Sequence, residues 1–235
     1  MHIERRTIRA VVFDLDDTLY PEREYVLSGY QAVSEHLQDR LGTRKPFDHW
    51  MAERFFSGKS AGAFDALNCY FHLELSKEQV LELVEVYRKH LPQIRPYDEV
   101  PHMLERLHEH YMLGLLSDGY LDAQRRKFEA LCIERHFDAI LFTDELGRGA
   151  WKPSLTGFEH IRRRLNVPHE CCAYVGDNPT KDFVAPNKLD WLTIQYVRPD
   201  QVYATKPPPG GEPQVVVRDV AQLHAALEGT ESAIH

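Results

Sequence analysis

The stretch VVFDLDDTLY, residues 11–20, places three carboxylates directly after an apolar run. The apolar residues 11–13 favour burial in a β-strand. Asp14, Asp16 and Asp17 instead need water, hydrogen bonds or a cation, because an unpaired carboxylate is costly to bury. The stretch therefore predicts a buried strand whose carboxyl end carries a polar site.

The length and composition predict a globular protein with a sizeable core. The chain has 235 residues, 43% of them hydrophobic, which suits one large domain or a core with a smaller insertion. Its net charge is −8. Because binding to a phosphate backbone needs a basic patch and the sequence has no block of Lys or Arg, we expect no nucleic acid partner. A small anionic substrate is compatible with this charge, since a few local cations or a metal ion can outweigh it.

Targeting signals are absent from the sequence pattern. The first ten residues contain no apolar signal-peptide segment, and no apolar stretch approaches the roughly 20 residues of a membrane helix. The cysteines form no C-x-x-C pair, and we expect the adjacent Cys171 and Cys172 to be reduced residues on a buried strand. We therefore expect a soluble cytoplasmic protein with no membrane partner, as a monomer or a homodimer.

Strands alternate with helices along most of the chain. The predicted strands lie at residues 8–13, 112–118, 138–144, 171–177, 191–197 and 214–219. Helical patterns separate most of them, which predicts an α/β fold: a Rossmann-like parallel sheet with helices on both faces. We assign residues 1–19 and 95–235 to this core domain.

The intervening segment, residues 20–94, has only helical patterns and predicts an inserted all-α helical domain. The predicted helices lie at residues 22–42, 46–56, 62–73 and 76–91. Gly42 is the expected C-cap of the first helix, and Ser76 is the expected N-cap of the last. Five aromatic residues of this segment are expected to form its core, with a place in the lining of a substrate pocket as the alternative for some of them: Trp50, Phe55, Phe56, Tyr70 and Phe71.

Polar residues follow three of the predicted strands at the point where each strand ends. Asp14 follows the first strand, Ser117-Asp118-Gly119 ends the second, and Asp177 follows a later one. Because the carboxyl ends of parallel strands meet at one edge of a sheet, we expect these residues to converge on one site. Asp14 and Asp177 are hard oxygen ligands suited to Mg²⁺, and Lys152 is the other candidate balancing charge.

Four motifs, in order along the chain, resemble those of the haloacid dehalogenase-like (HAD) superfamily. FDLDDTLY resembles its D-x-D-x-T signature, LLSDG its second motif, WKPS its lysine motif and VGDNPTKD its G-D-x-x-x-x-D motif. Subclass I members carry a helical C1 cap between the first two motifs, where this chain has its helical segment. The chain therefore resembles a phosphatase-type HAD hydrolase of subclass I.

The resemblance implies roles for the residues of the first motif. Asp14 would be the nucleophile that attacks phosphorus and forms an aspartyl-phosphate. Asp16 would be the general acid and base, and its backbone carbonyl would bind the metal ion. Thr18 would orient Asp16.

The resemblance also implies roles for the later motifs. Ser117 and the amides after it would hold the phosphoryl oxygens. Lys152 would neutralise charge on the nucleophile and the phosphate. Asp177 would complete the Mg²⁺ site with Asp14 and Asp16, and Asp182 would support either that site or Lys152. Catalysis would rest mainly on positioning and electrostatics.

The activity that the resemblance implies is Mg²⁺-dependent hydrolysis of a small phosphomonoester, with a nucleotide, a sugar phosphate or a short-chain organic phosphate as substrate. The helical cap, moving on hinges near Tyr20 and Arg95–Pro96, would cover the site, exclude water and select the substrate. A phosphomutase would keep all four motifs and is an alternative. A phosphonatase would need an activated cap lysine, and nothing in the sequence marks Lys45 or Lys59 as buried or activated.

Two further alternatives fit less well. Dehalogenase members lack the second aspartate of the first motif and need no metal ion, so Asp16 and Asp177 argue against that activity. A non-catalytic binding protein on this fold is disfavoured because every catalytic residue type is present. The 13 histidines include no H-E-x-x-H motif, which argues against zinc. The remaining notable cations are expected to be solvated: Arg54, Lys59, Arg148 and Arg198.

Overall fold

The computed structural model describes residues 7–199, 201 and 206–229, and the chain divides into two compact units. The core unit comprises Met1–Glu22 and Arg95–His235, and the helical unit comprises Arg23–Ile94. The sequence predicts divisions after residues 19 and 94, and the first structural division falls instead after Glu22. Within the described ranges, no helix combines the length and apolar character needed to cross a membrane.

The core unit is built on a parallel sheet of six strands. The strands are β1 (Ala10–Phe13), β2 (Met112–Ser117), β3 (Ala139–Phe142), β4 (Cys172–Gly176), β5 (Leu192–Tyr196) and β6 (Val215–Val217). Their spatial order is β3-β2-β1-β4-β5-β6, with every neighbouring pair parallel. The chain order reverses at β1, which lies between β2 and β4. Ligands of open α/β sheets bind at the carboxyl ends of the strands at such a switch point.

The helical unit contains four helices, as its sequence pattern predicts. They are α1 (Glu22–Leu41), α2 (Phe47–Phe56), α3 (Ala63–Phe71) and α4 (Lys77–Lys89). Gly42 follows α1 with a φ of 60°, a left-handed conformation that glycine adopts without strain. Ser76 caps α4 through a capping box with Gln79. Local capping signals therefore fix where these helices begin and end.

The interior of the helical unit is apolar but excludes two of the expected aromatic residues. Val33, Leu37 and Met51 are among the buried residues of its core. Trp50, Phe55 and Phe71 pack against that core. Phe56 and Tyr70 are 64% and 61% exposed, so their assignment to the core was wrong. Phe56 lies opposite Phe47 and Met51 on α2, whereas Tyr70 lies one turn from the buried Leu67 on α3, so helical spacing alone did not predict the exposure of Tyr70.

The helices of the core unit cover the sheet. They are α5 (Val100–His108), α6 (Leu121–Leu131), α7 (Leu155–Leu165), α8 (Val184–Lys188) and α9 (Val220–Glu228). Phe158 of α7 packs in one buried cluster with Val12, Tyr174 and Trp191. The α/β prediction is therefore confirmed. The sequence pattern predicts no helix between the strands at residues 171–177 and 191–197, where α8 lies, because five residues are too few to show a helical period.

The cysteine prediction is correct for one residue of the pair. Cys172 is buried as the first residue of β4, whereas Cys171 lies before the strand in a short 3₁₀ turn, His169–Cys171. All four cysteines are free thiols. Burial raises the pKa of the Cys172 thiol to about 12, so this side chain acts as a small apolar residue of the core.

Candidate active site

Three neighbouring strands bring the motif residues to one edge of the sheet. Phe13 of β1 is in register with Val175 of β4 and with Leu115 of β2. Asp14 and Asp177 therefore follow adjacent strands, and Ser117 ends the strand on the other side of β1. The convergence that the sequence predicts is thus present in the fold, at the switch point of the sheet.

Three buried carboxylates form a cluster at this edge. Oxygens of Asp14, Asp177 and Asp182 all lie within 4.8 Å of one another. Asp14 Oδ2 is buried and has no hydrogen-bond partner among the described residues. Burial and the charge of Asp182 raise the pKa of Asp177 well above its ordinary value. An unpaired oxygen within a cluster of hard oxygen ligands is the environment of a divalent cation site.

Lys152 is the cation that the structure places among these carboxylates. Its Nζ lies 2.6 Å from Asp14 Oδ1 and 2.8 Å from Asp182 Oδ1, and it donates to the Tyr174 hydroxyl at 2.8 Å. Burial acts to lower the pKa of Lys152, but the charges of Asp14 and Asp182 outweigh it and raise that pKa. Its ammonium is therefore charged and fixed in direction.

The position of Lys152 is set by the loop after β2. The Lys152 backbone N–H donates to Asp118 Oδ2 at 2.9 Å, and Thr143 Oγ1 donates to Asp118 Oδ1 at 2.6 Å. Asp118, to which the sequence assigned no individual role, thus connects the second motif to the third. Both oxygens of its carboxylate are used in this connection.

Asp182 is held by the loop that follows β4. Its Oδ2 accepts from the Asn178 backbone N–H at 2.9 Å, while its Oδ1 accepts from Lys152. A Cβ at Gly176 would lie 2.6 Å from Asp182 Oδ2, so only glycine fits there. The contacts of Asp182 are compatible with both roles that the sequence left open, because its Oδ1 accepts from Lys152 and one of its carboxylate oxygens lies within 4.8 Å of those of Asp14 and Asp177.

Burial and neighbouring charge act differently on the two aspartates of the first motif. Burial raises the pKa of Asp14 to about 6 in spite of Lys152. Burial also acts to raise the pKa of Asp16, but the charge of Lys127 and the hydrogen bonds to Asp16 lower it to about 2. Asp16 is not part of the three-carboxylate cluster, and its side chain contacts residues other than those that contact Asp14.

Lys127 and Gln124 are the site residues that the sequence reasoning missed. Lys127 Nζ lies 2.7 Å from Asp16 Oδ1, and Gln124 Nε2 lies 2.9 Å from Asp16 Oδ2. The Tyr20 hydroxyl also donates to Asp16 Oδ1. A signal was present in the sequence, because Gln124 and Lys127 are polar residues one turn apart on the buried face of α6.

Ser117 and Thr18 are both buried, and only Ser117 makes a side-chain contact to the site. Ser117 Oγ lies 2.7 Å from Gln124 Nε2. Thr18 Oγ1 has no hydrogen-bond partner in the described part of the chain, so its hydroxyl does not contact Asp16. The Thr18 backbone carbonyl instead accepts from Arg198 Nη2 at 3.0 Å.

Arg198 is buried, so the expectation that it is solvated was wrong. Its side chain is 5% exposed and its guanidinium lies 4.1 Å from the Tyr97 ring centroid and 3.8 Å from that of Tyr196. It is also ion-paired with Glu99. Through Thr18, Arg198 holds the loop that carries the first motif. Two aromatic faces far apart in sequence create this environment, and no local pattern indicates it.

Two more charged groups border the site. Burial and the charge of Asp16 raise the pKa of Glu22 to about 7. Burial and Lys152 act to lower the pKa of Lys181, but Asp14 and Asp182 outweigh them and raise it. The site therefore holds an unusual density of buried charge, which is typical of a functional site.

Comparison with known proteins identifies the family. A family model described as "Haloacid dehalogenase-like hydrolase" matches residues 11–194. The chain belongs to this family, and it shares its fold with solved members. The structure of a HAD phosphatase from Thermococcus onnurineus superposes with a TM-score of 0.61 at 22% identity, covering 94% of this chain and 98% of that one.

Two curated relatives lie closer in sequence than that structure. A phosphoserine phosphatase from Thermus thermophilus is 33% identical over 208 residues, covering 74% of this chain and 83% of the relative. A glyceraldehyde 3-phosphate phosphatase from Methanocaldococcus jannaschii is 26% identical over 201 residues, covering 81% of this chain and 86% of the relative. Both relatives match most of their own length.

Proposed function

We propose that this protein is a phosphatase that hydrolyses a small phosphomonoester through an aspartyl-phosphate. The observation that carries the proposal is the state of Asp14: Lys152 holds its Oδ1 at 2.6 Å, and its Oδ2 has no partner among the described residues. Family membership and relatives named phosphatases support a hydrolase of the phosphatase type. The two relatives act on different phosphoesters, so they support the class of substrate and not one compound.

The proposed reaction begins with Asp14. Its carboxylate attacks phosphorus, and the bond from phosphorus to the leaving oxygen breaks as the aspartyl-phosphate forms. Lys152 fixes the direction of the Asp14 carboxylate and balances its charge, which reduces repulsion between the nucleophile and the phosphate. Ser117, at the end of β2, is proposed to hold a phosphoryl oxygen.

Asp16 is the proposed proton carrier. Because the pKa of Asp16 is lowered to about 2 in the free protein, the bound anionic phosphoryl group must raise that pKa for Asp16 to carry a proton. Asp16 then gives this proton to the leaving alkoxide in the first step and takes one from the attacking water in the second, so that it ends as it began. Its separate position, away from the three-carboxylate cluster, lets it face the leaving group while Asp14 faces phosphorus. Water then releases inorganic phosphate and restores Asp14.

The metal ion that the family implies is Mg²⁺, and the residues present fit it. A cation at the cluster would give Asp14 Oδ2 a partner and would lower the raised pKa of Asp177. We propose Asp14, Asp177 and the backbone carbonyl of Asp16 as its ligands, with Asp182 supporting Lys152. When bound, Mg²⁺ would neutralise charge on Asp14 and on the phosphoryl oxygens.

Release of phosphate from p-nitrophenyl phosphate, with Mg²⁺ and with a chelator, tests the proposal. We expect release that requires Mg²⁺. A panel of phosphorylated metabolites then identifies the substrate, and product analysis separates hydrolysis from internal transfer, the phosphomutase outcome. Failure to release phosphate from any ester in the presence of Mg²⁺ would contradict the proposal. Size-exclusion chromatography tests the expectation of a monomer or a homodimer.

A further inference from the structure

The buried face of α6 changes character along its length. Its buried residues follow helical spacing, and the two nearest its C-terminus, Phe128 and Leu131, are apolar. Gln124 and Lys127, nearer its N-terminus, are 1% and 6% exposed. Burying an amide and an ammonium is unfavourable unless both find partners, so packing alone does not account for them.

Both polar side chains contact the same carboxylate, each through a different oxygen. Lys127 Nζ contacts Asp16 Oδ1 at 2.7 Å, and Gln124 Nε2 contacts Asp16 Oδ2 at 2.9 Å. Because the two residues lie one turn apart on a rigid helix, they act as a fixed fork around Asp16. The carboxylate plane is thereby held by an element other than the loop that carries Asp16.

The two oxygens of Asp16 are not equivalent. Oδ1 has two donors, Lys127 and the Tyr20 hydroxyl, which fill its two lone pairs. Oδ2 has one donor, Gln124, whose Nε2 is also within hydrogen-bond distance of Ser117 Oγ and the Asp118 carbonyl. A carboxylate oxygen has two lone pairs, and Gln124 fills at most one of those on Oδ2, because its two amide protons are shared among three acceptors. Oδ2 therefore keeps a lone pair that can take a proton.

We propose that Lys127 and Gln124 are positioning residues that aim Asp16 Oδ2 at the leaving group. The proton passes from Oδ2 to the leaving alkoxide as its bond to phosphorus breaks, and a proton of the attacking water returns to Oδ2 in the second step. The inference rests on the proposed phosphatase function. It adds that α6, which carries none of the four motifs' proposed catalytic side chains, sets the efficiency of proton transfer.

The test compares two kinds of ester in Lys127→Met. The specificity constant kcat/KM reports on phosphoryl transfer to Asp14 and not on the later release of phosphate. For an alkyl phosphate, whose alkoxide must be protonated, we expect kcat/KM to fall about 100-fold. For p-nitrophenyl phosphate, whose leaving group departs without a proton, we expect a fall of less than about 10-fold.

Further variants separate positioning from folding. Gln124→Met, like Lys127→Met, should lower the ratio of kcat/KM for the alkyl phosphate to kcat/KM for p-nitrophenyl phosphate. Lys127→Arg keeps a charged donor and should regain most of the alkyl phosphate activity. Arg125→Met is the matched control, because Arg125 lies beside these residues on the exposed face of α6. Circular dichroism and thermal melting establish that each variant is folded.

The outcomes for the inference and for the proposed function are distinct. A ratio of the two kcat/KM values that changes in Lys127→Met but not in Arg125→Met supports the inference. Equal losses on both esters, or no loss on either, overturn it and leave the proposed function intact. A wild-type protein that releases phosphate from no ester of the metabolite panel overturns the proposed function and the inference with it.

Discussion

Two aspartates separated by one residue are each paired with a buried lysine. Asp14 is paired with Lys152 and Asp16 with Lys127. Burial raises the pKa of Asp14 to about 6, whereas the charge of Lys127 and nearby donors overcome burial and lower that of Asp16 to about 2. At Asp14, the charge of Asp182 adds to the effect of burial and acts against that of Lys152. At the residue scale, neighbours from distant segments give the two carboxylates different properties.

Asp14→Asn tests the nucleophile. Asn keeps the shape of Asp and can still accept from Lys152, but it cannot attack phosphorus. We expect kcat to fall by about 10⁴-fold or more while the thermal midpoint changes little. Asp17→Asn is the matched control in the same loop, because its side-chain oxygen can still accept from the Glu22 backbone N–H. A normal kcat in Asp14→Asn would refute the nucleophile assignment.

Asp177→Asn tests the cation site without measuring activity. In chelator at pH 7 we expect the variant to melt at the same temperature as the wild type or about 2–4 °C higher, because it removes a buried carboxylate from beside two others. Added Mg²⁺ should raise the melting temperature of the wild type, since a ligand of the native state stabilises it, and not that of the variant. Asp65→Asn, on the exposed surface of α3, should keep the wild-type response. A full Mg²⁺ response in Asp177→Asn would remove Asp177 from the site.

At the element scale, Arg198 connects three parts of the core unit. It lies just after β5, it pairs with Glu99 next to the start of α5, and it donates to Thr18 in the loop after β1. The backbone adds a second connection between the last two, because the Tyr97 N–H donates to the Leu19 carbonyl at 3.1 Å. The loop of the first motif is therefore held by its backbone as well as by its side chains.

Arg198→Met tests this connection by chemical denaturation. We expect the free energy of unfolding to fall by about 2–4 kcal/mol, because the variant loses the contacts to two aromatic faces and leaves the Thr18 carbonyl without its donor. Arg198→Lys should recover only part of the loss, since an ammonium lacks the planar group that stacks. Arg148 is the matched control, because it lies over Tyr120 while exposed to solvent. Equal losses in Arg198→Met and Arg148→Met would show that burial of Arg198 adds nothing.

At the scale of the whole molecule, the chain divides into two units with different tasks in the proposed function. All residues of the four motifs lie in the core unit, and the helical unit, Arg23–Ile94, contributes none of them. Family relatives named for different phosphoesters match the chain over most of its length. The reaction is therefore assigned to the core unit, and the choice of substrate is proposed for the helical unit.

Exchange of Arg23–Ile94 for the matching segment of a phosphatase with another substrate tests this division. We expect substrate preference to follow the helical segment and the Mg²⁺ requirement to stay with the core unit. Steady-state kinetics on both substrates measures the outcome, and the reverse exchange in the relative is the control. A preference that stays with the core unit would place selectivity on core loops such as residues 144–151.

The sequence by itself determined the strands, most of the helices and the place of the site. Apolar runs mark the six strands, and Ser76 and Gly42 mark helix ends, because strand burial and helix capping depend on residues close together in the chain. The apolar strands that end in Asp14 and Asp177 also indicated that these two residues meet at one site, since the carboxyl ends of parallel strands lie at the same edge of a sheet.

Only the tertiary structure decided which charges meet. Lys127 pairs with Asp16 from 111 residues away, and Arg198 reaches Thr18 from 180 residues away. In the sequence, a lysine on a helix and an arginine after a strand both look like solvated surface residues. Their burial depends on how α6 and the end of β5 pack around the loop after β1. That packing depends on contacts between distant segments, and local periodicity carries no information about such contacts.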